Sequence, residues 1–382
     1  MYTLKANTQN EAKKKRSLFS KLFVLINFVF ILLLLLSYLS PFISPEFIWY
    51  FAFLGLAYPV LLLVNVIFCA LWLFLKSRLY ILSLFAIIIG WFQLSTLFQI
   101  NMKNDVSLDT KDNIKIVSYN VRLFDYYKWI GDSNTRYRIL NLLKTESPNI
   151  ICLQEILVDT AAKFNSLKTL TLTSPSKNIH AVYRKTLQGS YKLGIATLTS
   201  YPIIHQGAVP FKEKSRNMCI YTDILIANDT VRIYNLHLQS IRFQREDYKF
   251  MKDLSQPAET DEFEKSKGIL KRLKQAFIIR SKQVKTIEEH ISSCPYSVIV
   301  CGDFNDTPSS YTYHTLSSKM QDAFVERGNW IGNTYVGIFP SFRIDYILFK
   351  DRFTCNEYKK INSRLSDHYP ISAKLGLSKD SH

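Results

Sequence analysis

Val298-Ile299-Val300-Cys301-Gly302-Asp303-Phe304-Asn305-Asp306-Thr307-Pro308 decides how this chain is read. A β-branched apolar run, about as long as one buried strand, stops at Gly302. An acid, an amide and a second acid follow, and Pro308 ends the turn. Layered folds place their chemistry on loops that leave core strands. A plain turn in which Asn and Asp satisfy their own backbone has the same local pattern. The rest of the chain chooses between the two.

Working outward, the same signature recurs. Ile114 to Asn120 alternates as a strand and ends in an amide. Pro148 precedes Ile150-Ile151-Cys152-Leu153-Gln154-Glu155, a buried strand ending in a carboxylate. Gly194 to Ile203 reads as a strand running into a proline turn. Cys219 to Ile226 and Val231 to Leu238 read as paired strands joined by Asn228-Asp229. The second of these places Asn235 and His237 on one face. Arg343 to Leu348 is a strand with Asp345 opposite its apolar neighbours. Leu365-Ser366-Asp367-His368-Tyr369-Pro370-Ile371 sets an adjacent acid and imidazole before a last strand, Ile371 to Leu375. Helical spacing appears at Arg136 to Leu143 and at Ile269 to Ile291. The basic stretch from Arg242 to about His290 reads mainly as a solvated helix face.

The N-terminal third is of another kind. Leu22 to Leu39, Phe47 to Leu75 and Leu79 to Ile100 are apolar runs near the ~20 residues that span a bilayer. A cleaved signal peptide would account for the first run alone. Lys13, Lys14, Lys15, Arg16 and Lys21 precede the first run, and Lys76 and Arg78 lie between the second and third. The loop from Ser40 to Glu46 has no Lys or Arg. Basic flanks mark the cytoplasmic side, so the expectation is an inside N-terminus, three crossings and an extracytoplasmic remainder. The layout is then 1–21 basic N-terminus, 22–100 membrane domain, 101–112 linker, 113–377 catalytic domain and 378–382 tail. The net charge of +17 over 382 residues favours phosphate-bearing or membrane partners, although the N-terminal flank explains part of it. The six cysteines form no CxxC pair and no zinc spacing, and a single bridge among Cys219, Cys294 and Cys355 stays open.

The strand-end groups Asn120, Glu155, Asn235, His237, Asp303, Asn305, Asp345, Asp367 and His368 are rich in oxygen donors and lack paired thiolates. Such a set favours a hard cation, Mg2+ with Mn2+ as the alternative, over zinc. Histidines beside acids supply proton transfer. Together they suit hydrolysis of a phosphate ester. No Gly-rich phosphate loop appears, which excludes a nucleotide-driven motor or kinase of that type.

In order and spacing, Ser118-Tyr119-Asn120-Val121-Arg122, Leu153-Gln154-Glu155, the Gly194 to Ile203 segment and Asn235-Leu236-His237-Leu238 resemble the endonuclease/exonuclease/phosphatase superfamily, the deoxyribonuclease-I-like fold. Gly302-Asp303-Phe304-Asn305, Arg343-Ile344-Asp345-Tyr346-Ile347 and Ser366-Asp367-His368-Tyr369-Pro370-Ile371 complete the series, over about Asn113 to Leu377. The resemblance implies an α/β, four-layer sandwich of two mixed sheets flanked by helices, here preceded by three transmembrane helices. It implies Glu155 as principal metal ligand, with Asn120 and Asp367 assisting. His368, oriented by Asp345, corresponds to the residue that activates water. Asp303 and Asn305 would position water and the phosphoryl group, and His237 would contact the phosphate or protonate the leaving oxygen. The histidine in Asn235-Leu236-His237-Leu238 is similar to the deoxyribonuclease, sphingomyelinase and inositol-polyphosphate phosphatase branches. The implied substrate is nucleic acid, a phospholipid headgroup or an inositol phosphate. A catalytically silent, membrane-tethered binding module is the alternative.

Overall fold

The computed structural model describes residues 2–101, 113–159, 165–186, 191–213, 215, 217–241, 262–336, 342–350 and 352–377. The expected linker, apart from Asn101, the tail and residues 242–261 lie outside the described residues.

Among the described residues fourteen strands carry the architecture: β1 Phe98–Gln99, β2 Asn113–Asn120, β3 Ile150–Asp159, β4 Asn178–Thr186, β5 Tyr191–Thr199, β6 Ile203–Val209 and β7 Met218–Ile226 come first. They are followed by β8 Asp229–His237, β9 Ser297–Asp303, β10 Gln321–Asp322, β11 Trp330–Ile331, β12 Asp345–Phe349, β13 Phe353–Lys360 and β14 Ile371–Leu377. One six-stranded sheet has the order β13-β14-β2-β3-β5-β4 and the other β10-β12-β9-β8-β7-β6. Each is mixed, with β2 and β3 parallel in the first and β8 and β9 parallel in the second.

The central strands are buried on both faces, which is why they read as apolar runs and not as alternations. Ile116, Cys152, Ile233, Ile299, Cys301, Ile347 and Ala373 meet between the sheets. Val117, Ile151 and Leu153 face outward against Ile139 and Leu143 of the helix Thr135–Glu146. Val298, Val300 and Leu348 do the same against Val284 and Ile287 of the long helix Glu262–Ser292. The result is the expected layering of helix, sheet, sheet and helix.

Three local expectations change. Gly194 to Ile203 is two strands, β5 in the first sheet and β6 in the second, with Pro202 in the connection between sheets. The β7–β8 turn is Ala227-Asn228, because Asp229 already pairs with Ile226, and Ala227 takes the left-handed φ of 53° that the tight turn demands. All six cysteines are free, which closes the question of a bridge.

The N-terminal helices α1 Tyr2–Ser37 and α2 Tyr50–Phe74 are long and apolar enough to cross a membrane. The third run is instead two short helices, α3 Tyr80–Ile89 and α4 Trp91–Leu97, bent by 71° at Gly90. Ten residues of α3 make only about 15 Å of helix, so a third crossing exists only if the bent pair counts as one broken span. Some polar groups inside this bundle are paired: Asn27 joins Ser83 and Trp72, and Asn65 Nδ2 bonds the Phe30 carbonyl.

Gly302 shows the tightest packing in the second sheet. Its φ is +143°, and a Cβ there would lie 2.0 Å from the Leu236 carbonyl oxygen on β8. Gly302→Ala is therefore expected to destabilise the folded chain by about 2 kcal/mol or more, read as a lower denaturant midpoint for the detergent-solubilised protein.

Candidate active site

Asp303 is the last residue of β9, and the register of the second sheet sets its neighbours. Asp345 on β12 and His237 on β8 are its direct partners across the two adjoining ladders. Three titratable side chains thus stand side by side on one strand end, about 4.8 Å apart in the sheet direction. The first sheet supplies Asn120 from the end of β2 and Glu155 from β3.

Glu155 is aimed by a bulge. Leu153 pairs with Ala196 and Ile156 with Gly194, so Gln154 and Glu155 together oppose Ile195. Glu155 takes a φ of 52°, a strained region for a side-chain-bearing residue. The extra residue frees the two side chains from strict alternation. Gln154 turns fully inside, and its Nε2 donates to Asn235 Oδ1 at 2.8 Å. Glu155 stays about one-third exposed, with Oε1 at 3.6 Å from His237 Nε2.

The groups converge on Asp303, which is 1% exposed. Asn120 Nδ2 donates to its Oδ2 at 3.0 Å and the Asn305 backbone N–H to its Oδ1 at 2.8 Å. His237 Nε2 and His368 Nε2 lie 3.6 and 3.7 Å from Oδ2. His368 Nδ1 and Asp345 Oδ2 are 2.9 Å apart. Asp367, next to His368, pairs with Arg122 Nε at 3.2 Å. Every predicted site residue therefore lies in this pocket or on its rim. Asn235, collected with them from the sequence, does not: its Nδ2 donates to the Ala196 carbonyl at 2.8 Å, tying the sheets together.

Burial sets the charges. It raises Asp303 to about 6, and the Asp345 carboxylate adds to the rise against the pull of His368 and His237. Glu155 is raised by burial and by the Asp367 charge, opposed by His368, Asn120 and Arg122. For His368 burial works against charging, but Asp345 and Asp303 outweigh it and hold the imidazolium well above the usual histidine range. His237 is lowered, first by burial and then by the His368 charge. One imidazole is held cationic and its neighbour neutral, the division of labour that proton transfer needs.

These residues fit a divalent cation. Several carboxylates crowd a buried space, where the Asp345 charge raises Asp303 and the Asp367 charge raises Glu155, and His237 Nε2 and Asp345 Oδ1 have no hydrogen-bond partner among the described residues. The donors are hard oxygens with imidazole. Asp303, Asp345 and His368 are the His/Cys/Asp/Glu cluster whose donor atoms lie within 4.8 Å of one another. The Asp345–His368 contact uses two of those donors in a hydrogen bond, while Asn120 is engaged by Asp303 and by the Arg122 N–H, and Asp367 by Arg122.

Three contributors were not assigned roles from sequence. Thr334 Oγ1 accepts from the Ile344 and Asp345 backbone N–H groups at 3.0 and 3.1 Å, setting the start of β12. Nothing local marks it. Gln154 and Arg122 sit inside the quoted motifs, and their adjacency to Glu155 and Asn120 was the available signal.

The architecture and the pocket define a hydrolase of phosphoesters. The model described as the endonuclease/exonuclease/phosphatase family matches residues 117–368, about two thirds of the chain, and the chain belongs to that family of phosphoester hydrolases. A model described as a domain of unknown function (DUF8431) covers residues 20–97. No curated protein matches the chain. Among solved structures, an endonuclease/exonuclease/phosphatase from Beutenbergia cavernae superposes with a TM-score of 0.51 at 13% identity, covering 70% of this chain and 72% of its own. The human nocturnin catalytic domain with bound sulfate gives 0.50 at 13% identity, covering 70% and 94%. A family member from Bacteroides thetaiotaomicron gives 0.50 at 15%, covering 70% and 98%. These likenesses concern the fold.

Asp345→Asn removes the anion that faces His368 Nδ1, so the His368 pKa is expected to fall, measured by histidine-selective NMR titration. The same pair makes a stability signature. Because His368 titrates higher in the folded state than its ordinary 6.5, its contribution is complete below 6.5 and fades as pH rises through the folded value.

Proposed function

We propose that this chain is a membrane-anchored phosphoesterase that hydrolyses phosphodiester or phosphomonoester bonds with a divalent cation, Mg2+ first and Mn2+ second. The observation that carries the reading is the convergence of the Asp345–His368 pair, His237 and Glu155 on one buried carboxylate, Asp303.

Asp345 accepts from His368 Nδ1, and His368 Nε2 faces the pocket, where it can take a proton from the attacking water only after releasing the one the surrounding acids hold on it. Asp303 and Asn305 orient that water and the phosphoryl group. His237 is held neutral with Nε2 unpaired, and it donates a hydrogen bond to a phosphoryl or leaving oxygen. Glu155, Asn120 and Asp367 are the side chains assigned to hold the cation, which when bound would neutralise the acids and withdraw charge from the phosphate.

The membrane reading keeps residues 22–100 as anchor and 113–377 as catalytic domain. The loop between α1 and α2, free of Lys and Arg from Ser40 to Glu46, touches the catalytic domain through Glu46 and Lys285 at 2.9 Å. The basic residues Lys76 and Arg78 lie at the other end of α2. This arrangement supports an extracytoplasmic site under the basic-inside rule.

With the full chain in detergent and bis(p-nitrophenyl) phosphate as substrate, Glu155→Gln and His368→Ala are each expected to lower kcat by about 10³-fold or more. Chelator should abolish the rate and Mg2+ restore it. Turnover indifferent to chelator and to both substitutions would overturn this mechanism, and no turnover at all would return the chain to the silent binding module.

A further inference from the structure

The helices that leave the membrane and the strands that carry the site end at the same level. The long helix Glu262–Ser292 runs away from the catalytic end, and β9 runs back to it, finishing at Asp303. The start of α2 lies along that helix in the opposite sense. Glu46 pairs with Lys285, Phe53 meets Phe277 with ring centroids 5.3 Å apart, and Leu56 joins a cluster with Leu273, Ile269 and Ile241, just past His237. Gly55 lies against the loop that leaves Asp303: a Cβ there would be 2.6 Å from the Ser309 carbonyl oxygen. At the other exit, the Thr96 carbonyl accepts from Arg343 Nη2 at 2.8 Å, two residues before Asp345. Beyond this level, Leu56 to Phe74 makes about 28 Å of helix, close to the ~30 Å hydrocarbon core of a bilayer. A bilayer crossed by this part of α2 would have its surface at the catalytic edge.

A second wall projects past that edge. β3 continues beyond Glu155 to Asp159, paired with Tyr191 to Gly194 of β5, about 13 Å of strand. Against it runs a string of rings: Tyr191 to Tyr126 at 5.0 Å, Tyr126 to Tyr127 at 5.1 Å and Tyr127 to Trp129 at 5.0 Å. Trp129 lies 4.2 Å from the Arg122 guanidinium, whose partner Asp367 adjoins His368. Tyr127 is 54%, Trp129 46% and Ile130 37% exposed. Four successive left-handed residues, Arg122 to Asp125, shape the turn that leads to them. Exposed Tyr and Trp flanked by a cation are the side chains that settle in the headgroup layer.

Resting on the membrane-anchored phosphoesterase reading, we propose that the cleft opens onto the bilayer surface, between α2 and this aromatic wall, and takes the phosphate ester of a membrane-resident amphiphile. Stacking rings also suit single-stranded nucleic acid, but such a polymer would have to enter a mouth facing its own membrane.

The test uses the full chain in proteoliposomes. The fluorescence of Trp129, taken as wild type minus Trp129→Phe, should be quenched by lipids brominated near the glycerol end. A tryptophan placed by Tyr296→Trp, just before the start of β9 and far from Asp303, should not be. With Mg2+, phosphatidylglycerol or phosphatidylinositol phosphate in the same vesicles should be cleaved at least tenfold faster than its short-chain soluble form or an oligodeoxynucleotide. Unquenched Trp129, or preference for the soluble ester or the oligonucleotide, overturns the proposal. Cleavage of bis(p-nitrophenyl) phosphate with Trp129 in water sinks this placement and leaves the phosphoesterase reading intact. A quenched Trp129 with no ester cleaved sinks that reading, and the substrate assignment with it.

Discussion

Asp303 buries a carboxylate between two sheets, and the rest of the site is arranged to make that tolerable. An unpaired charge in such a place costs several kcal/mol. Here donors arrive from both sheets: Asn120 from the first, the Asn305 backbone from its own loop. His368, His237, Asn120 and Arg122 oppose the repulsion among the acids, yet Asp303 and Glu155 still lie above the usual carboxylate range. The same crowding of acids makes the pocket attractive to a cation and to the proton held on His368.

The scaffold around this charge is stiff where precision is needed. Gln154 and Asn235 bridge the sheets behind the site, so Glu155 cannot shift along its strand without breaking a buried hydrogen-bond network. Buried ion pairs anchor the loops that follow: Arg280 with Asp306 at 3.0 Å and Arg343 with Asp322. Arg343 and the Asp306–Ser309 loop also meet the apolar N-terminal helices. The N-terminal helices and the site therefore share structural parts.

Much of this was legible before any coordinates. Buried strands are short apolar runs, and a polar residue directly after one is visible in the sequence as a change of residue type. That was enough to pick out Asn120, Glu155, His237, Asp303, Asp345 and His368. The same logic misplaced Asn235, because alternation reports which face a side chain takes but not what stands opposite. Thr334 was invisible, since its partners are backbone N–H groups ten and eleven residues away. The bend at Gly90 was missed because hydropathy measures apolar length and is blind to direction.

What the chain's own order determined is the inventory: apolar spans, strand tips, and the acids, amides and imidazoles placed on them. Local steric and solvation preferences act within a few residues and leave a local trace. What only the tertiary structure decided is the meeting of groups such as Asn120 and Asp303, 183 positions apart, the re-aiming of Glu155 by a bulge, and the packing of the N-terminal helices against the loops beside the site. Those outcomes depend on how two twisted sheets and their helices pack, a global balance that no short stretch of residues carries.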